Sequence, residues 1–256
     1  MTADIWDPEV YGRYAAERGR PFYELVARVG ARSPEYVVDL GCGTGELTAT
    51  LLDRWPGAQV HGVDSSAAMI AKAPSGPTFE VADVRDWRPP RPVDVIVSNA
   101  LLQWVPEHPD LLRRWRNDLT EGGWLAFQVP GNFGAPSHAV VRELCRTTWR
   151  EELGDVPRDA PVLEPAEYVD LLAGLGFTVD AWETTYVHIL PGEDAVLNWI
   201  KGTALRPMLD RLPPERQADF LADCARALRE VYPAKPYGTP FPFRRIFVVA
   251  HLRGGA

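Results

Sequence analysis

Three alternate glycines, Gly41, Gly43 and Gly45, form a G-x-G-x-G turn between a predicted buried strand and a predicted helix. Glycine is needed where the backbone takes a positive φ or approaches a ligand too closely for a side chain. A dinucleotide-binding turn has the spacing G-x-G-x-x-G and holds a diphosphate at the helix N-terminus. Here the sixth position is Glu46, whose carboxylate would repel a diphosphate. The turn therefore favours a nucleoside-type cofactor without phosphates.

Two carboxylates follow at the ends of the next two predicted strands. Asp64 comes 23 positions after Gly41, where a carboxylate can accept hydrogen bonds from both hydroxyls of a ribose. Asp83 ends the third predicted strand and can accept a hydrogen bond from an amine. Taken singly, Asp64 could be a helix N-cap and Asp83 a turn residue. Their order after the glycine turn favours a joint role in binding a nucleoside.

An alternation of strands and helices must position these residues. Strands are predicted over 36–40, 59–63, 78–82, 93–98, 124–129, 179–189 and 245–252. Helices are predicted over 8–18, 22–29, 46–55, 66–73, 109–119, 137–152, 165–175 and 215–232. This pattern indicates an α/β protein with a doubly wound, mostly parallel, seven-stranded sheet.

The 256 residues are compatible with one domain, 1–256, because a doubly wound domain can absorb that length. We expect an N-terminal helical segment over 1–34 and helical lid insertions over about 131–160 and 191–242. An insertion this long is usually functional, and ligands of open α/β sheets bind at the carboxyl ends of the strands. The lid is therefore predicted to lie over that edge and to select the substrate.

Composition restricts the function classes. The formal net charge of −8 argues against a nucleic-acid binder, which needs a basic face. No apolar run is long enough to span a membrane, and no metal-ligand spacing occurs. The cysteines, Cys42, Cys145 and Cys224, suggest neither disulfides nor a zinc site, which favours the cytoplasm. We interpret Cys42 as a small buried side chain rather than a nucleophile. The sequence leaves the oligomeric state open, and a monomer is compatible with it.

The serial motifs over 36–130 resemble those of the class I S-adenosylmethionine-dependent methyltransferases, which have a Rossmann-like fold. The resemblance implies that the glycine turn abuts the methionine part of S-adenosylmethionine, that Asp64 holds the ribose and that Asp83 holds the adenine amine. It also places the backbone near Asn99 beside the amino acid part. The full cofactor set implied is Tyr14, Gly41, Gly43, Asp64, Ser65, Asp83, Val84, Asn99 and Ala100.

Motifs along nearly the whole chain resemble the trans-aconitate 2-methyltransferase family. They include Trp6-Asp7-Pro8, Leu102-Gln103-Trp104, Pro136-Ser137-His138, Thr184-Thr185-Tyr186, Leu205-Arg206-Pro207 and Arg245 with Phe247. The resemblance implies methyl transfer to one carboxylate of trans-aconitate, a small tricarboxylate. A carboxylate is already ionised at neutral pH, so no catalytic general base is expected.

The remaining substrate carboxylates need cationic or donor partners, and arginine meets a carboxylate with two parallel hydrogen bonds. The predicted substrate-binding residues are Arg18, Arg20, Gln103, Tyr186, His188, Arg206 and Arg245. Arg245 is favoured because it interrupts an otherwise apolar strand. The alternative for each arginine is a solvated or ion-paired side chain, with Glu17 and Asp210 as available partners, and His188 could be structural.

Two other functions stay open at this stage. One is a methyltransferase acting on another small organic acid or on a quinone precursor. The second is a cofactor-binding protein without catalysis, or an NAD-dependent oxidoreductase, which Glu46 disfavours. A methyltransferase acting on DNA bases or protein residues is less compatible, because Ser98-Asn99-Ala100-Leu101 lacks the N/D-P-P-Y/F form used on amino groups of bases.

Overall fold

The computed structural model of the chain describes residues 15–156 and 162–254, with side chains described from residue 19 onward. Its strands are β1 Tyr36–Leu40, β2 Gln59–Asp64, β3 Thr78–Val81, β4 Val93–Asn99, β5 Leu119–Pro130, β6 Phe177–Leu190 and β7 Thr239–Leu252. The α-helices are Ala15–Ala27, Glu46–Ala49, Leu51–Arg54, Ala67–Ile70, His108–Asp118, Pro136–Arg146, Arg150–Leu153, Pro165–Ala173, Ala195–Lys201, Arg206–Arg211 and Pro214–Val231. A short 3₁₀ helix covers Leu102–Trp104.

The strands form one seven-stranded sheet in the order β3-β2-β1-β4-β5-β7-β6. β1 is parallel to β2 and β4, β2 is parallel to β3, and β4 is parallel to β5. Asp39 near the end of β1 is level with Gly62 on one side and Val97 on the other. The carboxyl ends of β1 to β4 therefore meet at one edge, and the predicted fold class is confirmed.

The centre of the sheet is apolar because it is covered on both faces, as parallel sheets are. Every residue of β1 is buried, and so are most residues of β4. Val38, Leu40 and Ile96 pack in the main core together with Phe127 of β5 and Ile246 of β7. This core holds the strand ends in a fixed register, which is what the site at their carboxyl edge requires.

The N-terminal helix differs from the prediction. Two helices were expected, with a break near Pro21, whereas one helix runs over Ala15–Ala27 with Pro21 inside it. Proline in a helix costs about 3 kcal/mol. Burial of Phe22, Leu25 and Val26 contributes roughly 1.5–3 kcal/mol for each side chain and outweighs that cost.

Other predicted element boundaries were also wrong at prolines and glycines. The region 191–242 was predicted to hold one helix, but it holds three, two of which begin with proline in the first turn, Arg206–Arg211 and Pro214–Val231. Proline is favoured at that position because its N–H would have no helical partner. β5 begins at Leu119, so Gly122 and Gly123 lie within the strand and do not end the preceding helix.

Tertiary contacts divide the chain into two compact units. The first comprises 1–129, 162–183 and 246–256, and the second comprises 130–161 and 184–245. The predicted insertions over 131–160 and about 191–242 belong to the second unit. The assignment of a single domain with a lid stays a prediction. Among the described residues, no helix has the length and apolarity that crossing a membrane demands.

The ring of Phe79 on β3 fills space left by two glycines of the first unit. Gly62 is its direct partner on β2, and a Cβ placed on Gly62 would lie 2.6 Å from the ring. A Cβ on Gly45, whose φ is +73°, would lie 2.5 Å from the same ring. Real Cβ atoms do not approach so closely, so the packing of Phe79 requires glycine at both positions.

Substitution Gly62→Ala should destabilise the fold by about 1–3 kcal/mol, because the added methyl group forces Phe79 to move. The matched control is Gly57→Ala, since a Cβ on Gly57 meets nothing within 4 Å. That control should stay within about 0.5 kcal/mol of the parent or be slightly more stable. Urea unfolding of the three proteins measures both effects. Equal stability of the two variants would show that Phe79 accommodates the methyl group without cost.

Candidate functional site

The glycine turn after β1 is held by backbone hydrogen bonds and by a close neighbour. The N–H groups of Gly41 and Cys42 donate to the carbonyl oxygen of Val63, at 2.8 and 3.1 Å. Gly41 has φ +80°, and a Cβ there would lie 2.8 Å from Cβ of Leu101. Gly43 has φ +58°, and a Cβ there would meet nothing within 4 Å. The turn is thus packed against the segment after β4 at Gly41 and open at Gly43, where a ligand can approach the backbone.

Asp64 at the end of β2 is oriented by two backbone N–H groups. Its Oδ2 accepts from Gly43, and its Oδ1 accepts from Ser66, both at 2.9 Å. This orientation presents the carboxylate, a hydrogen-bond acceptor, at the carboxyl end of β2. The neighbouring Ser65 is exposed, whereas Ser66 is buried and caps the helix Ala67–Ile70 by accepting from Met69.

Asp83 follows β3 and is bound to Arg85. The Arg85 backbone N–H and Nε both donate to Oδ1, at 2.9 Å, and the guanidinium also reaches Oδ2. These hydrogen bonds from Arg85 lower the pKa of Asp83. The next residue, Val84, buries its side chain in the core, so only its backbone is available to a ligand. Asp83 is therefore an acceptor that Arg85 holds in one orientation.

The segment after β4 takes a strained backbone conformation. Ala100 has φ +57°, a left-handed conformation that non-glycine residues rarely adopt, and its N–H donates to the carbonyl oxygen of Gln128 at 2.9 Å. Strain of this kind is found mainly at binding and catalytic sites. The turn brings Leu101 against Gly41, so the ends of β1 and β4 form one continuous surface.

Two amide side chains on this segment present buried oxygens. Gln103 donates from Nε2 to the carbonyl oxygen of Ala100 at 2.6 Å, and its Oε1 is buried. Oδ1 of Asn99 is buried as well, and neither oxygen has a hydrogen-bond partner in the described part of the chain. Both atoms are acceptors that a bound donor can satisfy.

Asp39 in β1 is a charged group of the site that the sequence analysis missed. It is buried and accepts a hydrogen bond from the Thr48 hydroxyl at 2.6 Å. Burial raises the pKa of Asp39 to about 7, the Thr48 hydrogen bond opposes this shift, and the nearby charge of Asp64 adds to it. A carboxylate inside an apolar strand directly before the glycine turn was the signal that could have identified it.

The thiol of Cys42 lies in the same environment. Burial and the negative charges of Asp39 and Asp64 raise the pKa of the Cys42 thiol well above its ordinary value. A thiol that stays protonated is a poor nucleophile. Cys42 is partly buried rather than fully buried, and this pKa agrees with its interpretation as a side chain that is not a nucleophile.

Three of the predicted substrate residues lie in one aromatic cluster of the second unit. His188 stacks on Trp199 with ring centroids 4.7 Å apart and lies 6.2 Å from the rings of both Tyr186 and Phe243. The guanidinium of Arg245 lies over the Phe243 ring, 4.8 Å from its centroid. Arg245 is only 5 % exposed, so its charge is held inside an apolar and aromatic setting. Such a setting strengthens the attraction between this cation and an anion.

The other predicted substrate residues are placed differently. Arg206 is partly exposed and forms an ion pair with Asp210 at 3.1 Å, and Arg20 is exposed and pairs with Glu24 at 2.9 Å. Both pairs are four residues apart on a helix, the arrangement of ordinary surface ion pairs. Arg18 is described by its backbone only, and Tyr14 lies outside the described residues. The roles of all four stay predictions.

The residues of the first unit match the chemistry of S-adenosylmethionine, which carries ribose hydroxyls, an adenine amine, an ammonium group and a sulfonium centre. Every one of these groups is a donor or a cation. The carboxylates of Asp64 and Asp83 and the amide oxygens of Asn99 and Gln103 are all acceptors. The set therefore suits this cofactor, whereas a diphosphate would meet acceptors and Glu46 at the first turn of its helix.

The raised pKa of Asp39 predicts a pH-dependent cost to stability. The protonated form is favoured in the folded chain, so stability falls as the pH rises from 3.8, the ordinary value, to about 7. Asp39→Asn cannot ionise, and its amide oxygen can still accept from Thr48. Its free energy of unfolding relative to the parent should be higher at pH 8 than at pH 5 by at most about 3 kcal/mol, because about two pH units of the shift lie in that interval. Scanning calorimetry at both pH values tests this, and a pH-independent difference would contradict the raised pKa.

Comparison with known proteins also indicates a methyltransferase. A family model described as a methyltransferase domain matches residues 13–181. A trans-aconitate 2-methyltransferase of Rhodococcus jostii (strain RHA1) is 54% identical over 97% of this chain and 100% of its own length. One of Mycobacterium tuberculosis (strain ATCC 25177 / H37Ra) is 49% identical over 98% of both chains. The likeness therefore covers the second unit as well as the cofactor-type first unit.

Solved structures share the fold at low identity. A chain from the complex of a Haloferax volcanii methyltransferase activator with a putative methyltransferase has a TM-score of 0.58 at 19% identity, covering 99% of this chain and 96% of its own. The YcgJ protein of Bacillus subtilis has a TM-score of 0.57 at 15% identity, covering 92% of this chain and 99% of its own. These two support the fold alone. By its family model and its near full-length relatives, the chain belongs to the trans-aconitate 2-methyltransferase family of methyltransferases.

Proposed function

We propose that this chain transfers the methyl group of S-adenosylmethionine to one carboxylate of trans-aconitate, giving a monomethyl ester and S-adenosylhomocysteine. The observation that carries the proposal is the 49% to 54% identity with trans-aconitate 2-methyltransferases over nearly the whole chain. That identity covers the second unit, which holds Arg245 and its aromatic neighbours. The net charge of −8 supports a small-molecule substrate rather than a nucleic acid. A cytoplasmic location is supported by the three free cysteines, which suit a reducing compartment.

The first unit would hold the cofactor, which supplies an electrophilic methyl group on a sulfonium centre. Asp64, fixed by the N–H groups of Gly43 and Ser66, would accept from the two ribose hydroxyls. Asp83, fixed by Arg85, would accept from the adenine amine. Because both carboxylates are held by other groups before binding, little side-chain entropy is lost when the cofactor enters.

The second unit would hold the substrate through Arg245. The planar fork of its guanidinium matches a carboxylate, and the aromatic setting strengthens its attraction to an anion. The Phe243 ring at 4.8 Å limits the orientations of that fork, and His188 and Tyr186 on the same cluster can add hydrogen bonds. This arrangement supports an organic acid as the substrate.

The chain needs no general base for this reaction, since the attacking carboxylate is ionised at neutral pH. The work of the protein is then to orient the carboxylate and to exclude water, which together can account for a large part of a rate enhancement. Methyl transfer from labelled S-adenosylmethionine to a panel of di- and tricarboxylic acids and a quinone precursor tests the proposal. Faster transfer to another acid or to the quinone precursor would replace trans-aconitate with the alternative substrate.

Substitution Asp64→Ala should weaken binding of S-adenosylhomocysteine by about tenfold to a hundredfold, the loss expected for hydrogen bonds to a charged group. Asp64→Asn keeps one acceptor oxygen and should lose less. The matched control is Asp53→Ala, an exposed carboxylate on the helix Leu51–Arg54, which should bind as the parent does. Isothermal titration calorimetry measures all four proteins. Unchanged affinity in Asp64→Ala would remove the ribose role.

Substitution Arg245→Met should raise KM for trans-aconitate by about thirtyfold or more, because removing the partner of a desolvated carboxylate typically costs 2–5 kcal/mol. Arg206→Met is the comparison, since Arg206 is partly exposed and paired with Asp210, and it should raise KM much less. Affinity for S-adenosylhomocysteine should stay unchanged in both variants. Steady-state kinetics with recorded melting temperatures separates binding from stability. A normal KM in a folded Arg245→Met protein would exclude this arginine from the substrate site.

A further inference from the structure

Asn132 lies two residues after the end of β5, and its side-chain amide is bonded to a single residue of β7. The residue is only 2 % exposed. Nδ2 donates to the carbonyl oxygen of Arg244 at 2.9 Å, and Oδ1 accepts from the N–H of Arg244 at 2.7 Å. A backbone N–H only donates and a carbonyl only accepts, so the two amide atoms are assigned without ambiguity. The Asn132 side chain therefore pairs with Arg244 as the backbone of a neighbouring strand would.

Further hydrogen bonds hold Asn132 itself in place. Its carbonyl oxygen accepts from the N–H of Ala135 at 2.8 Å, in the turn that leads into the helix Pro136–Arg146. The N–H of Gly131 donates to the Arg244 carbonyl at 3.0 Å, and Nη1 of Arg244 reaches the carbonyl oxygen of Gly131 at 3.4 Å. Two successive residues after β5 thus fix the backbone of β7 at Arg244.

This fixed point adjoins the residue proposed to meet the substrate. Side chains alternate along a strand, so Asn132 acts on the backbone next to Arg245 and not on its guanidinium. By the same alternation Phe243 shares a face with Arg245, and its ring lies 4.8 Å from that guanidinium. A guanidinium at the end of a flexible side chain keeps one position only when its Cα is fixed as well. Phe243 restrains the end of this side chain, and Asn132 restrains its origin.

We propose that Asn132 is a positioning residue for substrate binding. By bonding both backbone groups of Arg244, it fixes the Cα of Arg245 and with it the guanidinium that meets a substrate carboxylate. Asn132 does not touch the substrate. The inference deepens the proposed function and rests on it, because it takes Arg245 as the partner of a carboxylate. Such a pairing is sensitive to displacement, since its two parallel hydrogen bonds weaken together when the fork is shifted.

The chemistry of this position calls for an amide. Aspartate would place an oxygen against the carbonyl oxygen of Arg244, and leucine would leave the Arg244 N–H without its acceptor. Of the side chains of this size, only asparagine presents one donor and one acceptor. Both hydrogen bonds form within the chain before a ligand enters. The position of Arg245 is thereby set in advance, and less conformational freedom is lost on binding.

The test combines steady-state kinetics with trans-aconitate and calorimetric titration with S-adenosylhomocysteine. The variants are Asn132→Leu, Arg245→Met, the protein that carries both changes, and Asn132→Ala as a second substitution. Leucine has nearly the shape of asparagine and forms no side-chain hydrogen bond. The matched control is Gln217→Met, because the Gln217 amide also bonds two backbone groups of the second unit, the carbonyl oxygens of Leu209 and Leu212, at 2.8 and 3.2 Å. Melting temperatures of all proteins are recorded.

We expect Asn132→Leu to raise KM for trans-aconitate about tenfold, since a displacement of about 1 Å can cost up to about a hundredfold. Because Arg245 would hold a carboxylate that is not methylated, kcat should change less than about threefold. Affinity for S-adenosylhomocysteine should stay unchanged. In the Arg245→Met background the same change should raise KM less than about twofold, because residues that act through one another are not additive. Gln217→Met should lose stability without a change in KM.

A measurement on the parent needs no variant. Hydrogen exchange of the Arg244 amide, followed by NMR without trans-aconitate, reports whether its bond to Asn132 is already formed. We expect this amide to exchange at least about a hundredfold more slowly than in an unstructured peptide. Fast exchange that slows only when trans-aconitate is added would contradict a position set in advance, even where the Asn132 variants do not fold.

The possible failures are distinguishable. A normal KM in folded Asn132→Leu, beside a raised KM in Arg245→Met, would overturn the inference and leave the proposed function standing. An equal rise of KM in both backgrounds would show that Asn132 does not act through Arg245, and a joint loss of S-adenosylhomocysteine affinity would show a general disturbance. If Arg245→Met keeps a normal KM, or the parent does not methylate trans-aconitate, the proposed function fails, and that outcome is seen without any change at Asn132.

Discussion

The close approach of Leu101 to Gly41 is the contact on which the rest of the site depends. It joins the turn after β1 to the turn after β4, and it requires both a glycine at 41 and the left-handed backbone of Ala100. The ring of Phe79 also packs against the glycine turn, because it fills the space beside Gly62 of β2 and Gly45 of the turn. The glycines therefore have two roles. Gly41 and Gly45 allow a positive φ, and the lack of a Cβ leaves space for Leu101 and Phe79 to pack against the turn.

The two units concentrate opposite kinds of polar group. The first presents acceptors at the strand ends, namely Asp64, Asp83 and the amide oxygens of Asn99 and Gln103. The second buries the cation of Arg245 among aromatic rings. A cationic cofactor and an anionic substrate would each find complementary charge in a different part of the chain. This division explains how a protein of net charge −8 can favour an organic acid as its substrate.

The sequence predicted the parts of the site that depend on local spacing. Asp64 and the glycine turn follow directly from the order of strand, turn and helix, and the structure places them together. The ion pairs of Arg20 with Glu24 and of Arg206 with Asp210 also lie within local range, because each arginine has an acid four residues away.

The parts that the sequence did not predict depend on long-range register. The cluster of His188, Trp199 and Phe243 forms only when β6 and β7 are neighbours in the sheet and the helix Ala195–Lys201 packs near them. That helix was not among the predicted helices. The direction of the Gln103 amide was equally hidden, because it depends on a carbonyl group freed by the unusual backbone of Ala100.

Asp39 has a pKa raised to about 7, whereas the ionisation of the three thiols and two histidines agrees with a reaction that needs no proton transfer. Burial raises the pKa of the Cys42, Cys145 and Cys224 thiols, and burial lowers the pKa of His108 and His138. These shifts keep each group in its neutral form at pH 7. An enzyme that relies on acid–base or nucleophilic catalysis tunes such groups toward reactivity instead. A carboxylate substrate arrives as its own nucleophile, so the chain can hold these side chains inert and devote its charged groups to orientation.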